Sequence, residues 1–253
     1  MSLLVAGFIL ITALVTSLVS GVFGMAGGLM LMGALALVLP VSAALVTHGL
    51  IQMVANGWRA VLHRRHLQWK IVGLYAVGSA GVALALAFIS YVPSKPLLYL
   101  LLGLVPGLTW LPKRILQLDA AKAPQAVLCG VLVTGLNLLA GVAGPLLDIF
   151  FIRTDLSRHR IVATKAATQV FSHLAKVLVY GAPLIRTGGA GMPPAWVFVL
   201  AVPLAMIGTV LGGRVLDRLT DKHFLAWTRY IVTAIGGLYL VQALQLFLTA
   251  RAG

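Results

Sequence analysis

His48, Gln52, Asn56 and Arg59 follow one another at spacings of four, four and three within the apolar stretch from Ser42 to Leu62. At about 100° per residue an α-helix carries all four within roughly 80° of arc, so they form one polar stripe. Lys165, Gln169, His173 and Lys176 repeat the spacing 117 residues later, in the stretch from Ile161 to Tyr180. The stripes hold amides, imidazoles and cations and no carboxylate. Amides donate to oxygens and cations balance charge, so this set suits a small anion.

The elements that carry the stripes belong in lipid. The chain has 253 residues, 60% hydrophobic and 9% charged, against roughly 45–50% and about 25% in soluble domains. No Lys, Arg, Asp or Glu precedes Arg59. A membrane span uses about 20 residues, so the length accommodates eight to ten helical elements and no sizeable extramembrane domain. An all-α, multi-pass membrane protein is expected. The N-terminal apolar run lacks a basic flank and a cleavage site and is expected to stay in the fold.

Placed in a membrane, the stripes gain weight. An ionisable group at that depth costs about 2.5–3.5 kcal/mol on insertion scales and usually faces a pathway. Interhelical hydrogen bonds return only about 0.6 kcal/mol per contact, too little to account for Lys165. Arg59 and Lys176, at the stripe ends, are candidates for the pathway or for coupling, with snorkelling to the surface as the alternative. His48 and His173 can relay protons. Asp148 is the one acid inside an apolar run, Leu146 to Phe150; it is either a coupling group or, the favoured reading, an ion-pair partner of Arg153.

Several chemistries lack their residues. There is no Glu, which removes HExxH metalloprotease chemistry. A single Cys129 forms no intrachain disulfide, CxxC pair or thiolate cluster and is expected to act as a small apolar filler. No catalytic nucleophile, metal site or cofactor site is expected. A cation carrier would need carboxylate or thiolate ligands in its spans. The +14 net charge lies between apolar runs and reads as topology, not as a nucleic-acid surface. The expected partners are a small anionic substrate and the lipid bilayer, with no nucleic acid and with a homodimer left open.

Five apolar runs, Leu3–Val22, Leu29–Leu39, Ser42–Leu62, Trp69–Tyr91 and Leu97–Leu111, are followed by five more. Those are Gln125–Ala140, Leu146–Ile152, Ile161–Tyr180, Trp196–Gly213 and Leu225–Thr249. The Gly24-Met25-Ala26-Gly27-Gly28 run aligns with Gly141-Val142-Ala143-Gly144-Pro145 at the same offset of 117. Ser20 falls on Asn137, and both flank the turns. The reading is an internal duplication: 1–112 as one repeat, 113–124 as a basic linker and 125–253 as the second.

Basic residues cluster at 64–70, 113–122, 153–160 and 214–222. Placing all four clusters in the cytoplasm inverts the halves and leaves both termini outside. The first two runs of each half must then enter and leave on one side, as a hairpin broken at the glycines. Broken backbone at membrane depth is tolerated where it lines a cavity, and inverted repeats with broken helices mark transporters. Helix N-termini starting near Leu29 and Leu146 would present N–H groups to an anion. Gly24, Gly27, Gly28, Gly141, Gly144, Ser20 and Asn137 therefore join the two stripes as candidate substrate-binding residues.

The run Gly21-Val22-Phe23-Gly24-Met25-Ala26-Gly27-Gly28, the short apolar arm ending at Pro40, and the degenerate copy at Gly141–Pro145 resemble the TauE/SafE group of sulfite exporters, also called the toluene-sulfonate uptake permease family. The resemblance covers essentially the whole chain. It implies transport across the bacterial inner membrane of sulfite, sulfonates such as sulfoacetate, or related sulfur anions such as thiosulfate, coupled to protons. A carrier of another small anion or of a metal cation, or an intramembrane enzyme, remains the alternative at this stage.

Overall fold

The computed structural model describes residues 1–89, 91–112, 118–151, 154–186, 188–216 and 221–252. Lys113, Arg114, Arg153 and Arg218, which belong to the expected basic loops, lie outside the described residues. The described residues form ten α-helices and no strand. They are α1 (Leu3–Phe23), α2 (Met25–Val38), α3 (Val41–Leu62), α4 (Trp69–Ala87) and α5 (Lys95–Leu104), then α6 (Ala123–Ala140), α7 (Gly144–Phe151), α8 (Arg158–Arg186), α9 (Ala195–Leu216) and α10 (Asp221–Ala252).

Local chemistry sets several of the ends. Ser2 and Ser94 accept backbone N–H bonds and cap α1 and α5. Pro96, Pro124 and Pro145 sit in the first turns of α5, α6 and α7, where a missing N–H costs nothing. α5 tightens into a 3-10 turn over 105–110 that carries Pro106. Two expected starts move. The arm expected from Leu29 begins at Met25 and the one expected from Leu146 at Gly144, because Gly24 alone interrupts the first pair and 141–143 the second. Similarly α6 starts at Ala123, two residues inside the expected linker.

α3 and α8 pack along each other at the centre, α5 pairs with α10, α1 pairs with α9, and α6 pairs with α4. Exchanging the first five helices for the last five returns the same set of pairs. Among the described residues, five helical segments are long and apolar enough to cross a membrane: α1, α4, α6, α9 and residues 227–250 of α10. α3 is not among them, since its polar stripe lowers its hydropathy, and twelve of its 22 residues are buried. The outer helices show Leu, Val and Phe to the surroundings, as lipid contact requires.

Close approach of the paired helices rests on small residues, since lipid gives apolar side chains no drive to leave it. The Cα of Gly212 on α9 lies 2.8 Å from where a Cβ on Gly21 of α1 would stand. Two ends of the bundle can be told apart. Lys95 donates to the Leu37 carbonyl, and Gly191 sits against Pro40, so the loops after α2, α4 and α8 share one end. At the other end Gln68 N–H donates to Thr164, His66 stacks near His159, and Ala120 N–H donates to the Phe150 carbonyl.

Candidate functional site

Each helical hairpin turns at a glycine whose backbone no L side chain adopts easily. Gly24 has φ 63 and ψ −94 and closes α1, and Gly141 has φ 78 and closes α6. The two turns abut directly, because a Cβ on Gly144 would stand 2.5 Å from the Met25 Cβ. Gly27 serves a different purpose from the one expected. It faces α1, where an added Cβ would be 2.0 Å from the Thr16 carbonyl, and it lets α1 and α2 fold tightly against each other.

Each turn is held from the far end of the stripe in its own half. Arg59 Nη2 donates to Ser20 Oγ at 3.3 Å, and Ser20 Oγ donates to the Gly24 carbonyl at 2.7 Å. In the equivalent place Lys176 Nζ donates straight to the Gly141 carbonyl. A cation on the last carbonyls of a helix satisfies orphan acceptors and complements the dipole. Lys176 is completely buried, so it does not snorkel.

Backbone carbonyls orient the remaining polar atoms. His48 Nε2 lies 3.0 Å from the Gly28 carbonyl, which only accepts, so Nε2 carries the proton. Its Nδ1 then accepts from Lys176 Nζ at 3.1 Å. Asn56 Nδ2 donates to the Gln52 carbonyl at 3.0 Å and to Gln52 Oε1 at 3.1 Å. Gln52 Nε2 is thereby turned the other way, buried and without a protein partner. Asn137 Nδ2 reaches His173 Nδ1 at 3.5 Å, leaving Asn137 Oδ1 unpartnered. The His48 and His173 rings meet edge to face, 5.4 Å between centroids.

These groups line a partly open cavity of about 30 Å³, enough for two or so waters or a small polyatomic ion at about 10–15 Å³ per water. Of the expected residues, Gly24, Gly28, His48, Gln52, Asn137, Gly144, Gln169 and His173 line it. The first turn of α2 adds Met25 and Leu29, and the second glycine turn adds Val142 and Ala143. Among the described residues, no carboxylate, lysine or arginine forms part of the wall.

Other expected residues stand behind the wall or apart from it. Ser20, Asn56, Arg59, Gly141 and Lys176 brace the turns and the cavity amide, as described above. Lys165 is elsewhere: its ammonium pairs with Asp148 on α7. Asp148 thus has Lys165 as an ion-pair partner, while the pairing expected with Arg153 falls on a residue outside the described ones. Cys129 is buried among apolar side chains, as expected of a filler.

Ser172 lines the cavity and was not anticipated. Its hydroxyl meets Tyr75 OH and, at 2.8 Å, Thr134 Oγ1, which in turn donates to Ser79 Oγ at 2.9 Å. The cluster joins α4, α6 and α8. Its only trace in the sequence is that Ser172 directly precedes His173 of the stripe, about 100° round the helix.

In the comparison with known families, the model of "Sulfite exporter TauE/SafE" matches residues 9–240. The chain belongs to the TauE/SafE sulfite exporter family. It is a multi-pass membrane protein of a transporter family, with the match extending from α1 into α10. No curated protein and no solved structure matches the chain.

Proposed function

We propose that this TauE/SafE protein is a secondary transporter of small sulfur oxyanions, among them sulfite, sulfonates such as sulfoacetate, and thiosulfate. The observation that carries the proposal is the cavity between the glycine turns, which Gln52 lines with a buried, unpartnered amide nitrogen close by and which no carboxylate lines among the described residues. The N-termini of α2 and α7 open onto the same space, and N–H groups at helix starts favour negative charge. Neutral donors in a low-dielectric site hold an anion without trapping it as a fixed ion pair would.

In this reading the repeats 1–112 and 125–253 rock against each other about the cavity, exposing it alternately to the two sides. The protein sits in the bacterial inner membrane. The end bearing the 63–68, 118–122 and 154–160 segments faces the cytoplasm, by the bias of basic residues, and both termini face outside. Proton coupling passes through the imidazoles at the cavity, His48 and His173, with Lys176 behind them. Asp148, paired with Lys165, has no part in that path.

Counterflow in proteoliposomes tests the proposal. Sulfite, sulfoacetate or thiosulfate trapped inside is expected to drive uptake of labelled sulfite, and an inward proton gradient to alter the rate. Transport of a metal cation or an amine with no response to any oxyanion would overturn it.

A further inference from the structure

The hydroxyl cluster beside the cavity has a direction. Thr134 Oγ1 spends its one proton on Ser79 Oγ. In its 2.8 Å bond with Ser172 Oγ, Thr134 is therefore the acceptor, and Ser172 is the donor. Ser172 has then no proton left for Tyr75, so Tyr75 OH donates to Ser172. The order Tyr75 to Ser172 to Thr134 to Ser79 leaves Ser172, on the cavity wall, with one free lone pair and no free proton. Asn137 adds a second unpartnered acceptor, Oδ1, buried at the same wall. Gln52, another lining residue, has a buried, unpartnered Nε2 that offers donors only.

The wall therefore has two characters, donors from Gln52 and acceptors from Ser172 and Asn137. A fully deprotonated oxyanion satisfies the first and sets its own lone pairs against the second. A small monoanion that keeps one O–H satisfies both. We infer that the cavity selects a protonated oxyanion, a small monoanion of the hydrogensulfite type, over anions of the same size that carry no hydrogen-bond donor. The inference rests on the reading of the cavity as an oxyanion site and adds to it the protonation state of the ligand. The physical basis is that a site built to receive a ligand O–H rejects an analogue without it, because its own buried acceptors then stay unpaired.

The test is calorimetric titration of the purified protein in detergent with sodium sulfite on the acid side of neutrality, where hydrogensulfite prevails, and with chlorate and methanesulfonate. Chlorate is pyramidal, singly charged and without a donor. Hydrogensulfite is expected to bind about tenfold more tightly than either, the effect of one satisfied buried hydrogen bond. The Thr134→Val variant removes the acceptor that holds the Ser172 proton, frees that proton for the cavity, and is expected to raise chlorate affinity and narrow the preference. Ser172→Ala, the second variant, is expected to bring hydrogensulfite affinity down toward that of chlorate. Equal binding of all three anions by the unmodified protein, or an unchanged preference in both folded variants, would overturn the inference and leave the oxyanion reading intact. Binding of none of the three would remove both.

Discussion

Lys176 Nζ lies 3.1 Å from His48 Nδ1, joining residues 128 positions apart in the chain. With Lys176 on the Gly141 carbonyl and His48 on the Gly28 carbonyl, the contact completes a bridge between the glycine turns of the two halves. Lys176→Met would leave the Gly141 carbonyl and the His48 Nδ1 without their donor in a fully buried place. A loss of about 2–4 kcal/mol is expected from two orphaned acceptors, read as lowered thermal stability in detergent. Lys176→Arg would not restore it, because the larger head must enter a packed site at a cost of about 1–3 kcal/mol. Wild-type stability in Lys176→Met would show that the bridge holds nothing.

Lys165 and Asp148 pair outside the cavity, both partly exposed. Lys165→Met is expected to leave oxyanion affinity in the folded protein within about threefold of the original, because its ammonium does not face the ligand. In a double-mutant cycle with Asp148→Asn, stability should show a coupling on the order of 1 kcal/mol or less, as for pairs open to solvent. A tenfold or greater fall in affinity in Lys165→Met would return that lysine to the site.

Gln52→Leu separates binding from folding. It removes donors that have no partner in the empty protein together with the Oε1 acceptor of Asn56, whose Nδ2 keeps the Gln52 backbone carbonyl, so the melting temperature without ligand is expected to change little. Affinity for sulfite should fall by about 0.5–1.5 kcal/mol, two- to tenfold. A loss of apo stability with unchanged affinity would make Gln52 a packing residue.

Gly24→Ala isolates backbone strain. Nothing lies within 4 Å of the added Cβ, so the cost comes from the backbone at φ 63, ψ −94 and is expected at about 1–3 kcal/mol. Gly27→Ala should cost more, since its Cβ meets the Thr16 backbone and drives α1 from α2. Thermal unfolding of the two variants ranks them, and the reverse order would contradict the packing described.

Sidedness follows from single cysteines, with buried Cys129 as a silent background. Exposed Val92 and Ala190, replaced by Cys, should react with an impermeant maleimide from outside, and Asp155→Cys only after the membrane is opened. Labelling of Ala190→Cys from the cytoplasmic side would reverse the orientation.

The membrane class, the ten elements and the two stripes were all legible in the sequence, because each depends on composition or on a period repeated along one helix. The 4-4-3 spacing places Gln52 and Gln169 on inward faces wherever the neighbouring helices lie, and both line the cavity. Only the tertiary structure decided what each inward group touches. Lys165 and Lys176 stand on one helix face three turns apart and look alike in sequence, yet one meets a carboxylate on α7 and the other a carbonyl at Gly141. The Tyr75, Ser79, Thr134 and Ser172 hydroxyls come from three helices and share no period. Helical periodicity is local and fixes a direction from the axis, whereas a hydrogen bond requires a distance between axes, which is set only when the helices pack.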